Sequence, residues 1–77
     1  MNDYMEGERF IRNLCFLRKK YALPQKSLAA LAGISLPILR LTERGQVVPR
    51  LTQEQLTRLC QIFNITPNAL LQTDLTK

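Results

Sequence analysis

The stretch Ile34-Ser35-Leu36-Pro37-Ile38-Leu39-Arg40-Leu41-Thr42-Glu43-Arg44-Gly45 reads as one short helix with a marked start and stop. Ser35 is its N-cap, offering a hydroxyl to backbone N–H groups that have no partner inside the helix. Pro37 lies in the first turn, where a missing N–H costs nothing. Gly45 supplies the stop. At about 100° per residue, Leu36, Leu39 and Glu43 share one side, and Pro37, Arg40, Leu41 and Arg44 share the other. The inward side is therefore apolar except for Glu43, a carboxylate that needs a partner.

The preceding segments read the same way. Residues from about Pro24 to Ala32 form a short helix with Leu28, Leu31 and Ala32 inward, while small Ala29 and Ala30 permit a neighbouring helix to approach. Gly33 closes it with a left-handed turn. A longer helix runs from about Gly7 to Tyr21, with Phe10, Leu14, Leu17 and Tyr21 in one arc and Ile11 at its edge. Arg9, Arg12, Lys19 and Lys20 gather opposite. Arg18 does not join them: its phase falls between Ile11 and Leu14, on the apolar face. A cation there must be paired or snorkelling, because an unpaired buried charge is too costly. Arg18 and Glu43 thus pose mirror-image problems.

Downstream, Thr52-Gln53-Glu54-Gln55 is a capping box, and Leu51 with Leu56 suits a hydrophobic staple. Leu56, Leu59, Cys60 and Phe63 form the inward stripe of this fourth helix, which Asn64 ends. Thr66-Pro67 is the N-cap and first position of a fifth, carrying Leu70 and Leu71. No alternating strand pattern persists for four residues, and there are no repeats. The fold class is all-α, a compact five-helix domain.

Composition narrows the function classes. Seventy-seven residues make one small domain, which buries only about 60–65% of its unfolded surface. A hydrophobic content of 45% supports a packed core and argues against disorder. No apolar run approaches 18 residues, and the acidic start MNDYMEGERF is unlike a signal peptide, so a cytoplasmic location is expected and a membrane span is not. Cys15 and Cys60 stand apart among apolar residues. With no His and no paired cysteines, they read as free core thiols, with no metal site and no cofactor expected. The missing His also removes the usual general base, and no phosphate-binding glycine loop appears, so an enzyme is not expected.

Charge is distributed unevenly. Residues 1–8 hold Asp3, Glu6 and Glu8; residues 9–50 hold nine Lys/Arg against Glu43 alone, or +8. Residues 51–77 balance Arg58 and Lys77 against Glu54 and Asp74. The positive field belongs to the region of the first three helices, as a polyanion-binding surface requires.

Helix, glycine turn and capped helix in that order make a helix-turn-helix arrangement, at about residues 24–44. The protein resembles the phage-repressor, Cro-like helix-turn-helix domains, also called the lambda-repressor-like or XRE family. The resemblance is carried by Leu17-Arg18, Leu23, Gln25, Leu28-Ala29, Gly33-Ile34-Ser35, Leu39 and Glu43-Arg44-Gly45. Pro49, Leu59 and Phe63-Asn64-Ile65-Thr66 continue it. It covers residues 8–72, leaving an acidic N-terminal extension (1–7) and a C-terminal tail (73–77). It implies a transcriptional regulator that binds operator DNA, usually as a dimer, through the helix at 35–44. It also implies that Arg18 and Glu43 pair as a structural strut.

The candidate phosphate contacts are Lys19, Gln25, Lys26, Arg44 and Arg50; those facing the groove are Ser35, Leu36, Pro37, Arg40 and Leu41. Here the sequence departs from the family pattern. Leu36, Pro37 and Leu41 stand at positions that commonly read bases, and none of these side chains can hydrogen-bond. Pro24 replaces a residue that caps, Ala22 stands where Gly or Asn often ends the first helix, and Thr42 occupies an ordinarily aliphatic site. The loop 46–50 carries one cation, Arg50. A second reading follows: Leu36, Ile38 and Leu41 form an apolar patch that docks a protein, including another copy of the same protein.

Overall fold

Helix α1, Asp3–Lys20, is the longest of five helices in the computed structural model, which describes residues 3–76, with side chains from residue 7 onward. Parts of the acidic extension and the tail therefore lie outside the described residues. The helix begins four residues before the Gly7 start read from the sequence. It is followed by α2 (Gln25–Ala32), α3 (Leu36–Glu43), α4 (Gln53–Phe63) and α5 (Pro67–Gln72). There is no strand among the described residues. The all-α, five-helix architecture is as the sequence implies, and no described helix is long and apolar enough to cross a membrane.

The caps expected from the sequence close with real hydrogen bonds. The Ile38 N–H donates to Ser35 Oγ at 3.3 Å, and the Ala69 N–H to Thr66 Oγ1 at 3.1 Å. The capping box of α4 is reciprocal: Gln55 N–H donates to Thr52 Oγ1 at 3.1 Å, and Thr52 N–H to Gln55 Oε1 at 2.9 Å. Pro24 leaves the start of α2 with no side-chain cap. At the other end of α2, Gly33 adopts φ 73°, ψ 31°, and a larger residue there would also crowd Arg58, its Cβ 3.0 Å from the guanidinium. The Gln55 amide donates to the Gly33 carbonyl at 2.8 Å, so α4 fixes the α2–α3 turn from behind.

Packing joins α1 to α3 and α5, and α2 to α3 and α4, with α4 also against α5. The core between them is Phe10, Leu14 and Leu17 of α1, Leu28, Ala29 and Ala32 of α2, Leu39 of α3, Leu59, Cys60 and Phe63 of α4, and Leu70 of α5, with Ile34 from the turn. Burial pushes the Cys60 thiol up, which keeps it protonated. Cys15, expected to be buried likewise, is only half-buried.

Two inward assignments are corrected. Leu31 is 54% exposed rather than packed inside. It lies about 60° from Leu28 but about 160° from Ala29, and α2 settles on Leu28, Ala29 and Ala32, which swings Leu31 out. Tyr21 is 53% exposed, because α1 ends at Lys20 and the backbone then turns. Its ring still stacks on Phe63, with centroids 5.8 Å apart.

One structural residue has partners that its place in the sequence does not reveal. Asn13 is fully buried, sharing the α1 face of Phe10, Leu14 and Leu17. Its amide donates to the carbonyls of Leu70 (2.8 Å) and Thr73 (2.7 Å), and its oxygen accepts from the Leu75 N–H at 3.0 Å. Arg9 adds a bond to the Gln72 carbonyl at 2.6 Å. A single amide from α1 thus terminates the six-residue α5 and ties residues 73–75 to α1.

Two stability tests follow. Asn13→Ala strands two carbonyls and one N–H and should cost about 3 kcal/mol or more in urea unfolding, since each buried polar group left unpaired costs about 1–3 kcal/mol. A loss below about 1 kcal/mol would show that water replaces the clamp. Ala22 sits at φ 53°, a conformation that costs an L-residue about 1–2 kcal/mol. Ala22→Gly should therefore raise stability by up to about 1 kcal/mol, net of the glycine's greater freedom when unfolded.

Candidate nucleic-acid interface

The two misplaced charges meet. Arg18 Nε and Nη2 donate to Glu43 Oε2 and Oε1 at 2.5 and 2.8 Å, a bidentate pair joining α1 to the last turn of α3. The side chains are only 14% and 7% exposed. Arg18 Nη1 also donates to the Leu23 carbonyl at 2.9 Å, and the Gln25 amide donates to Glu43 Oε1 at 2.9 Å. The cluster thus draws together α1, the α1–α2 turn, the first residue of α2 and the end of α3. The Cys15 thiol approaches the same Glu43 oxygen at 3.9 Å.

Burial pushes the Glu43 carboxyl up, but the hydrogen bonds from Arg18 and Gln25, with the nearby charge of Lys19, outweigh it and hold the group below the ordinary glutamate range. The Arg18 guanidinium is raised by its hydrogen bonds to Glu43. Because the folded carboxyl titrates below the unfolded one, its stabilisation is complete above about pH 4.3 and is lost as pH falls through the folded value.

This cluster sets the orientation of α3. With Leu39 and Thr42 buried and Glu43 held inward, the opposite face must look outward. Thr42 satisfies its hydroxyl locally, donating to the Ile38 carbonyl at 2.8 Å. Pro37, Arg40 and Arg44 are exposed, as is Ser35 at the start. Leu41, which follows Arg40 in sequence, is turned about 100° from it towards Ile38, half-buried and outside the core cluster. Leu36 packs against the buried core, as its helical phase implies, and not on the groove face where the resemblance would put it. Ile38, 37% exposed, borders a shallow groove shared with Val47, Val48 and Pro49. The face is consequently divided, with Arg40 and Arg44 along one edge and Leu41 and Ile38 along the other.

The surrounding cations are available. Lys19, Lys26, Arg40, Arg44 and Arg50 are exposed, and none of their charged groups makes an ion pair or hydrogen bond among the described residues. Arg58, by contrast, pairs with Glu54 at 2.5 Å. The N–H groups of Gln25, Lys26 and Ser27 at the uncapped start of α2 also have no partner among the described residues. The next N–H, that of Leu28, is satisfied by the Pro24 carbonyl at 3.0 Å. Open N–H groups at a helix start favour an anion. Gln25, read from the sequence as a phosphate contact, instead spends one amide hydrogen on Glu43, which leaves its second hydrogen and its oxygen for any outside contact.

Comparison with protein-family models, with characterised proteins and with solved structures returns no match.

Removing one partner of such a buried pair costs about 3–5 kcal/mol, so Glu43→Ala should lower the melting temperature sharply at pH 7. Glu43→Gln should flatten the loss of stability on acidification below about pH 4.3, because its amide has no proton to gain. A Glu43→Gln variant as acid-sensitive as the parent would remove this carboxylate from the acid response.

Proposed function

We propose that the protein is a DNA-binding transcriptional regulator of the Cro-like helix-turn-helix kind, acting in the cytoplasm, with α3 entering the major groove. The observation that carries this reading is the convergence of open cations and open N–H groups around α3. The Gln25 bond to Glu43 brings the start of α2, with Lys26 next in sequence, to the end of α3; Arg40 and Arg44 lie on α3 itself, and Arg50 shares the groove beside Ser35 and Ile38. An uncapped helix start suits a backbone phosphate, and flanking cations suit its neighbours.

Base reading is then limited. Pro37 and Leu41 can touch a thymine methyl, whereas only Arg40 and Arg44 can form a bidentate contact with guanine, a contact that discriminates by about 1–3 kcal/mol. The regulator therefore depends mainly on phosphate contacts and DNA shape. A homodimer on DNA accords with the resemblance to the family.

The exposed edge of Ile38, continued by the 57% exposed Val48, favours one alternative: a protein-docking module with weak or no DNA binding. Salt separates the two. If Lys26, Arg40, Arg44 and Arg50 each neutralise a phosphate, these four contribute about −3.6 to the slope of log affinity against log salt, from about −0.9 per contact. Arg44→Gln should reduce the magnitude by about 0.9. Absence of binding to duplex DNA at low salt would defeat the regulator reading, and Leu41→Glu would then be expected to abolish a salt-insensitive protein complex instead.

A further inference from the structure

Resting on the DNA-binding reading, we propose a second phosphate contact outside α2 and the α3 face: the groove between α1 and the C-terminal end of α3, which takes the phosphodiester backbone of the same DNA. Arg12 and Lys19 stand on its α1 wall, and Arg44 with Gly45 forms the opposite wall. Arg12 and Lys19 are two helical turns apart on one face, about 10.5 Å along the axis. Both are exposed, and like Arg44 neither uses its charged group in a hydrogen bond or ion pair among the described residues.

The floor gives the groove its rigidity. Ile11 and Phe16 are half-buried and packed against the core, so the cations above them are held at the surface. Glu43 also lines the groove and would repel an anion if it were free. Arg18 instead holds both its oxygens and neutralises the charge, and the Gln25 amide donates a further hydrogen bond to one of them. Glu8 remains at the Arg12 end, and Asp74 lies near Arg12 in the adjoining depression. Attraction for a phosphate is therefore greatest at the Lys19–Arg44 end. Arg44 belongs to this groove and to the outer face of α3, so a strand leaving that face would meet Lys19 next.

The other α1 cations are placed differently. Arg9 donates to the Gln72 carbonyl, and Lys20 lies over the rings of Phe16 and Tyr21, its Nζ 6.0 and 5.9 Å from their centroids. Lys19 and Lys20 are thus sequence neighbours of equal charge, one in the groove and one outside it.

The test compares Lys19→Gln with Lys20→Gln in binding of duplex DNA across a range of salt, after melting curves confirm that both fold. Lys19→Gln should weaken binding several-fold at low salt and reduce the salt slope by about 0.9, and adding Arg12→Gln should reduce it further. Lys20→Gln should leave the slope unchanged. Equal effects from both lysines would assign the loss to net charge and overturn the groove. No effect from Lys19→Gln, with Arg44→Gln still weakening binding, would overturn the groove and leave the regulator reading standing. A parent protein that does not bind DNA at all would overturn both.

Discussion

The bidentate contact between Arg18 and Glu43 is the constraint on which the arrangement of the first three helices depends. It links α1 to the last turn of α3 across 25 positions of sequence, and Gln25 brings the start of α2 to the same carboxylate. A buried ion pair adds little net stability over a well-packed apolar pair, but breaking it is expensive. Its value here is geometric. By holding Glu43 inward it determines which side of an eight-residue helix faces out, something that Leu39 and Thr42 alone specify less firmly. The same pair masks a carboxylate that would otherwise oppose an anion on the adjoining surface.

Much of this arrangement is legible in the residues alone. Periodicity sends Arg18 and Glu43 to apolar faces, and two opposite charges with the same difficulty identify one another. Caps are equally readable, since Ser35, Thr52 and Thr66 each act within three residues of themselves. Interactions that close over so short a span need no knowledge of how the helices pack.

Tertiary contacts are less accessible. Asn13 shares the phase of three core residues, which marks it as inward, but nothing local reveals that its partners lie some 60 residues away at the end of α5. Leu31 has the composition of a core residue and yet faces out, because α2 is short and its neighbours choose among nearly equivalent faces. On sequence alone, helical phase turns Leu36 inward with Leu39, while the family resemblance counts it among the groove-facing positions. Packing withdraws Leu36 and leaves a division into a cationic edge and an apolar edge. The sequence likewise turns Gln25 outward, whereas its bond to Glu43 depends on a helix that begins eleven residues later.

The surface oriented by this ion pair is, on the reading proposed, the one that meets DNA. Backbone amide chemical shifts followed during titration with duplex DNA at low salt test this most directly. Changes are expected to concentrate at Lys26, Arg40, Leu41, Arg44 and Arg50, with the exposed α4–α5 residues Thr57, Gln61 and Asn68 unaffected. Shifts centred on those α4–α5 residues, or none anywhere, would contradict it.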